Sequence, residues 1–167
     1  DSRLELQRRG TSLGIQGDIT PVMRINESGI LNIEGYDLPI FADESAFSIR
    51  DVTNILANRM ADGINIKLMK SSGIYQARGI YDLATSHNIP CMAGCMLESP
   101  IGLAAMASFV AGRSNIHFVD LDPITMIKSN PVSGGIKLEG ATLFLNEQPG
   151  LGITYIDGLE PVFKIGE

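Results

Sequence analysis

Ile64-Asn65-Ile66-Lys67-Leu68-Met69, a helical repeat from Ile74 to Ser86, and Cys91-Met92-Ala93-Gly94-Cys95-Met96 follow one another in mid-chain. The first and last are apolar runs of strand length, and the segment between them repeats its apolar residues at helical spacing. Asn88-Ile89-Pro90 marks the turn before the second run. Strand, helix and strand in that order predict two parallel strands joined by a helical crossover.

The same unit repeats in both directions. Upstream, Pro39-Ile40-Phe41-Ala42 is a short apolar run ending at Asp43-Glu44-Ser45. Ser48 then stands three residues before Asp51, much as in a capping box. Val52, Ile55, Leu56 and Met60 continue at helical spacing, and Gly63 is expected to end that helix. Downstream, an Ala-rich helix is predicted from Pro100 to Ala111, stopped by Gly112. Ile116-His117-Phe118-Val119 forms a fourth strand, ending in Asp120-Leu121-Asp122. The fold class is therefore α/β, an incomplete (β/α) barrel. Such a barrel gathers the carboxyl ends of its strands on one face, where its chemistry sits. Asp43, Lys67, Met96-Leu97-Glu98 and Asp120-Leu121-Asp122 all fall at such ends. A doubly wound open sheet is the alternative, although its Gly-rich phosphate turn is missing.

Three regions follow: residues 1–37, unassigned; 38–133, the partial barrel; and 134–167, a strand pair and tail. In the first, glycines interrupt the chain and no period persists. In the last, Gly134 to Gly140 and Thr142 to Leu145 read as paired strands, closed by Pro149 to Ile153. Thr154 to Glu167 reads as a strand or a loose end.

Composition narrows the function classes. The 167 residues carry a net charge of −6, with 44% hydrophobic and 19% charged residues, as expected of a globular protein. No basic cluster interleaves with aromatics, so a nucleic-acid partner is not expected. No apolar run reaches the length of about 18 residues that a membrane span needs. The N-terminus has no apolar signal stretch, and a cytoplasmic protein is expected. Cys91 and Cys95 lack further ligands in a metal pattern, and strand packing explains them better. His87, near a helix end, and His117, in a strand, are assigned no chemistry.

Singly, each strand-end residue has an ordinary explanation: an Asp that forms a turn, or a Lys solvated at an edge. Together they place an amine among carboxylates in one mouth. A partly desolvated lysine there can act as a base near neutral pH. A neighbouring carboxylate can hold Mg2+, whose charge stabilises a deprotonated carboxylate substrate.

These motifs resemble the enolase superfamily, muconate-lactonising subgroup. Pro39 to Ser45 resembles its fifth barrel strand, Asn65 to Lys70 its sixth, and Gly94 to Ser99 its seventh. Asp120-Leu121-Asp122 resembles the eighth strand of the dipeptide epimerases, the L-Ala-D/L-Glu type. Gly134-Gly135-Ile136 and Pro149 to Ile153 fit as well, and the resemblance spans roughly residues 38 to 155. It implies that the incomplete (β/α) barrel is the C-terminal half. It implies that Asp43 is one of three carboxylates holding Mg2+, with Glu44 beside it. It implies that Lys67 moves the α-proton on one face of a dipeptide, by 1,1-proton transfer. Asp120 and Asp122 would bind the dipeptide ammonium, and Cys95, Met96 and Glu98 would line the substrate pocket. Cycloisomerases and o-succinylbenzoate synthases of the subgroup act on substrates without an ammonium group, which Asp120 and Asp122 disfavour.

The sequence also departs from the family. No Lys-x-Lys occurs to supply the opposing lysine, and Glu147-Gln148-Pro149 carries a family triplet in the wrong place. A full barrel takes about 250 residues. The 167 residues alone are therefore expected to be inactive, or a non-catalytic remnant. Their open strand edges suggest self-association or a partner that supplies the missing half-barrel.

Overall fold

The computed structural model describes residues 39–158 in full, and the backbone of four short strands before them. Those four are β1 (Leu4–Glu5), β2 (Val22–Ile25), β3 (Leu31–Ile33) and β4 (Tyr36–Leu38). They pair antiparallel in sequence order, a meander where no strand period was expected. At two to four residues each, they are too short to show alternation in the sequence.

The second sheet positions the site. It holds β5 (Phe41–Ala42), β6 (Gly63–Ile66), β7 (Cys91–Ala93) and β8 (Ile116–Val119), all parallel and in sequence order. Helices α1 (Ile49–Ala57), α2 (Ile74–Ser86) and α3 (Pro100–Ala111) make the crossovers. The limits of α2, α3 and β8 agree with the sequence reading.

The outward face of the sheet and the inner faces of the helices form one core. Ile64, Ile66, Cys91 and Ala93 are buried against Val52, Ile55, Ala77, Ile80, Leu103 and Met106. Full burial of each large aliphatic side chain contributes about 1.5–3 kcal/mol.

Two expectations fail around α1. The helix stops at Ala57, and Met60 is exposed rather than part of a buried stripe. Gly63 does not end it but opens β6, paired with Phe41. A Cβ on Gly63 would lie 2.3 Å from the Phe41 ring, so the aromatic side chain needs a glycine opposite it. The predicted start of α1 holds, with both halves of the capping box formed. Asp51 N–H donates to Ser48 Oγ at 3.2 Å, and Ser48 N–H donates to Asp51 Oδ2 at 2.9 Å. Ser48→Ala should therefore cost about 1 kcal/mol, read as a lower urea midpoint at unchanged slope. An unchanged midpoint would show that α1 does not depend on its cap.

Strand parity sets what faces inward. Side chains alternate along a strand, so Ile64 and Ile66 point to the helices while Gly63, Asn65 and Lys67 share the other face. Phe41 and Asp43 share that face on β5, as do Phe118 and Asp120 on β8. Flat neighbouring strands stand about 4.8 Å apart, which would keep the outermost strands β5 and β8 well separated. Yet the Phe41 and Phe118 rings meet edge to face with centroids 5.4 Å apart. The sheet is therefore curled, as a segment of a barrel wall. Beside these rings a cavity of about 370 Å³ is lined by Pro39, Asn88, Pro90, Asn115 and His117. It opens at the amino ends of the strands, opposite the polar cluster.

The tail forms two antiparallel pairs. β9 (Val132–Gly134) pairs with β12 (Ile153–Ile156), and β10 (Lys137–Glu139) with β11 (Thr142–Phe144). The second is the expected hairpin, and the first brings part of the 154–167 stretch into a strand. Residues 159–167 lie outside the described residues. Among the described residues, no helix is long and apolar enough to cross a membrane.

Candidate active site

Each chemical residue follows directly on a strand. Asp43 and Glu44 follow β5, Lys67 follows β6, Gly94 and Cys95 follow β7, and Asp120 follows β8. The parallel ladder runs through these ends, because Gly94 N–H donates to Ile66 C=O and Asp120 N–H to Ala93 C=O, both at 2.9 Å. A shared edge and a shared face thus bring together residues far apart in sequence.

Asp43 and Lys67 form the centre. Lys67 Nζ donates to Asp43 Oδ2 at 2.8 Å and to Glu44 Oε1 at 3.0 Å. The other carboxylate oxygen, Asp43 Oδ1, accepts from Lys70 Nζ at 2.5 Å. Burial alone acts to lower the pKa of Lys67, but hydrogen bonds and attraction from Asp43 and Glu44 outweigh it, and the net direction is upward. That corrects the expectation of a base made available by desolvation: Lys67 is held as an ammonium group. For Lys70 burial wins and the pKa falls, Asp43 only partly offsetting it. Burial pulls the pKa of Asp43 up, yet its hydrogen bonds to Lys67 and Lys70 carry it below the usual 3.8.

The depressed Asp43 value has a consequence for folding. Its stabilisation is fully present above the unfolded pKa of 3.8 and is lost as pH falls through the lower folded value. Asp43→Asn should therefore be less stable than the parent at neutral pH. It should also lose less further stability below pH 3.8, seen in denaturation midpoints across that range. Parallel acid limbs in parent and variant would contradict the linkage.

Gly94 packs closely against Asn65 and Lys67. A Cβ there would lie 2.6 Å from Asn65 Oδ1 and 3.0 Å from Lys67 Cε. Asn65 is buried, and its Oδ1 has no hydrogen-bond partner among the described residues. Gly94, Asn65 and Lys70 are participants that sequence reading missed. Only strand parity, which places Asn65 beside Lys67, offered a signal for any of them.

On the other side, Cys95 Sγ donates to Asp120 C=O at 3.0 Å. Burial first, then the charges of Asp120, Glu98 and Asp122, push its thiol up to about 11. Cys95 is therefore a packed thiol lying in the field of three carboxylates. Asp120 and Asp122 are exposed, and neither has an ion-pair partner among the described residues. Asp122 C=O also accepts from Thr125, fixing the turn at Pro123–Thr125. Met96 is part-exposed, whereas Glu98 is buried: its Oε1 accepts from Met96 N–H at 3.4 Å, and a Cβ on Gly102 would meet its Oε2. Glu98 thus packs on the first turn of α3, where the helix dipole favours an anion.

The enolase C-terminal domain-like family model matches residues 21–158. The chain belongs to that family. Its match begins upstream of the roughly 38–155 span read from motifs. The L-Ala-D/L-Glu epimerase of Bacillus subtilis (strain 168) is 40% identical over 142 residues, 84% of this chain and 39% of that protein. A structure of a substrate-liganded complex of that enzyme superposes with TM-score 0.70 at 41% identity, covering 74% of this chain and 34% of the other. The dipeptide epimerase of Cytophaga hutchinsonii complexed with Mg and D-Ala-L-Val gives TM-score 0.69 at 32% identity, covering 75% and 34%. The chain spans about two fifths of the length of the curated relatives it matches. With this family assignment the four-stranded parallel sheet is part of a (β/α) barrel, and the family's relatives named here are isomerases acting on dipeptides.

Proposed function

We propose that residues 39–158 carry the carboxyl-terminal half of a dipeptide epimerase active site. The carrying observation is the placement of a lysine between two carboxylates, and of the exposed Asp120/Asp122 pair, without ion-pair partners among the described residues, along one edge of a parallel sheet. The reaction is proton exchange at the α-carbon of the C-terminal residue of an L-Ala-L-Glu-like dipeptide. Lys67 delivers or removes that proton on one face, and its ammonium form, the proton donor, is the one the site holds. Asp120 and Asp122 receive the dipeptide ammonium, since two carboxylates facing one cation make charge-assisted hydrogen bonds. Met96 and Cys95 line the approach to the pocket, and Glu98 orders the loop between them and α3.

The residues fit Mg2+ in kind. Asp43 and Glu44 offer hard carboxylate oxygens that converge on one positive charge, the Lys67 ammonium. They do not complete a six-coordinate shell, because the described residues contain no group of three or more potential ligands. Asp43 would hold the ion with Glu44 beside it, and other barrel strands would supply the rest. When bound, Mg2+ supplies charge that stabilises the substrate carboxylate as its α-proton leaves. The open edges of β5 and β8 are closed by those further strands or by a partner chain, and turnover is expected only of the closed barrel, in the cytoplasm.

A chimera tests this reading. Residues 39–158 replace the corresponding part of the B. subtilis epimerase, and epimerisation is followed by proton NMR. The expected result is turnover of L-Ala-L-Glu and none of its N-acetylated form, which lacks the ammonium. A folded chimera that is inactive, or that accepts both equally, would sink the proposal.

A further inference from the structure

We propose that Lys70 is a positioning residue, whose buried ammonium holds the Asp43 carboxylate in the one orientation that presents Oδ2 to Lys67. This deepens the epimerase reading and rests on it for Asp43 and Lys67 as site residues. The Lys70 side chain is only 1% exposed, and lysines are almost never buried so fully unless paired. Its Nζ has three protons to donate and meets three acceptors: Asp43 Oδ1 at 2.5 Å, Asp43 C=O at 2.6 Å and Asn65 C=O at 3.1 Å.

Two of those acceptors belong to the same residue. One nitrogen that grips both the carbonyl and the carboxylate of Asp43 closes a ring through its side chain, and neither torsion can turn without breaking a contact. The other oxygen is thereby directed to Lys67. Stability alone is a weak reason to bury a charge here, because an apolar side chain of similar volume often serves a core as well or better. The two backbone carbonyls need only a neutral donor. A buried cation adds a fixed grip on the second oxygen of a carboxylate that must also serve another partner.

The test uses the full chain, without substrate or metal, so that loss of epimerase activity cannot be mistaken for failure of this proposal. Three-bond couplings from Hα to the two Asp43 Hβ protons report its side-chain torsion. The parent chain should show one large and one small coupling. In Lys70→Met they should collapse to two similar, intermediate values while the amide spectrum stays that of a folded protein. Lys70→Gln, which keeps a neutral donor for the carbonyls, should show the same collapse. Couplings that stay unequal in both variants would overturn the proposal, and so would loss of the fold in both, which would assign Lys70 to the core alone. Inactivity of the chimera beside collapsed couplings would remove the epimerase reading and leave the positioning role standing.

Discussion

Lys67→Ala in the chimeric epimerase should lower kcat by about 10²–10⁴-fold, the usual range for a positioned general acid or base, and leave KM nearly unchanged. The direction follows from the proposed division of roles. Lys67 Nζ contacts Asp43 and Glu44, whereas the exposed Asp120 and Asp122, the proposed ammonium-binding pair, follow a different strand. Removing the amine therefore removes the proton carrier without removing the groups that recognise the dipeptide. Initial rates on L-Ala-L-Glu, with circular dichroism to confirm folding, decide it. A loss confined to KM would make Lys67 a binding residue, and unchanged kinetics would take it out of the site.

Gly94→Val should be the most damaging single change that leaves every charge in place. The added Cβ would fall 2.6 Å from Asn65 Oδ1 and 2.9 Å from Asn65 Nδ2, closer than side chains approach, and 3.0 Å from Lys67 Cε. Overpacking of this kind costs about 1–3 kcal/mol. Here the neighbours are a buried amide and the lysine stem, so relief requires both to move. The expected result is a lower denaturation midpoint together with a kcat loss comparable to that of Lys67→Ala, although Lys67 itself is intact. A stable variant with full activity would show that the placement of Asn65 and Lys67 does not depend on the space left by Gly94.

Much of this was legible in the sequence because two periodicities and one topological rule sufficed. Helical spacing in Ile74–Ser86 and Pro100–Ala111, and the short apolar runs between, set the crossovers. The rule that parallel strands end together then brought positions 43, 67, 96 and 120 to one edge. What failed was punctuation. Gly63 reads as a helix stop by its residue type, whereas its neighbour across the ladder, Phe41, is what requires it. The strands also proved shorter than their apolar runs: Leu68 and Met69 continue the run after β6 but belong to the turn that carries Lys70.

The charge state of the site was hidden for a different reason. A lysine's pKa depends on which carboxylates reach it, and Asp43 is 24 positions away in sequence. Lys70 gave no signal at all, since a lysine after Leu68-Met69 looks like a solvated turn residue. It is buried because its ammonium reaches Asp43, just after β5, and the Asn65 carbonyl on β6. The burial of Glu98 against α3 was equally hidden, because it depends on the turn that brings its carboxylate to Met96 N–H and beside Gly102.

Deuterium uptake at the α-carbon, followed separately for the L,L and L,D dipeptides in the Lys67→Ala chimera, bears on the whole scheme. If Lys67 serves one face only, one epimer should still exchange its α-proton readily and the other should not, with interconversion slowed by about 10²–10⁴-fold as well. Equal exchange from both epimers would mean that the lysine between Asp43 and Glu44 moves no proton, and that this edge of the sheet is not where the reaction takes place.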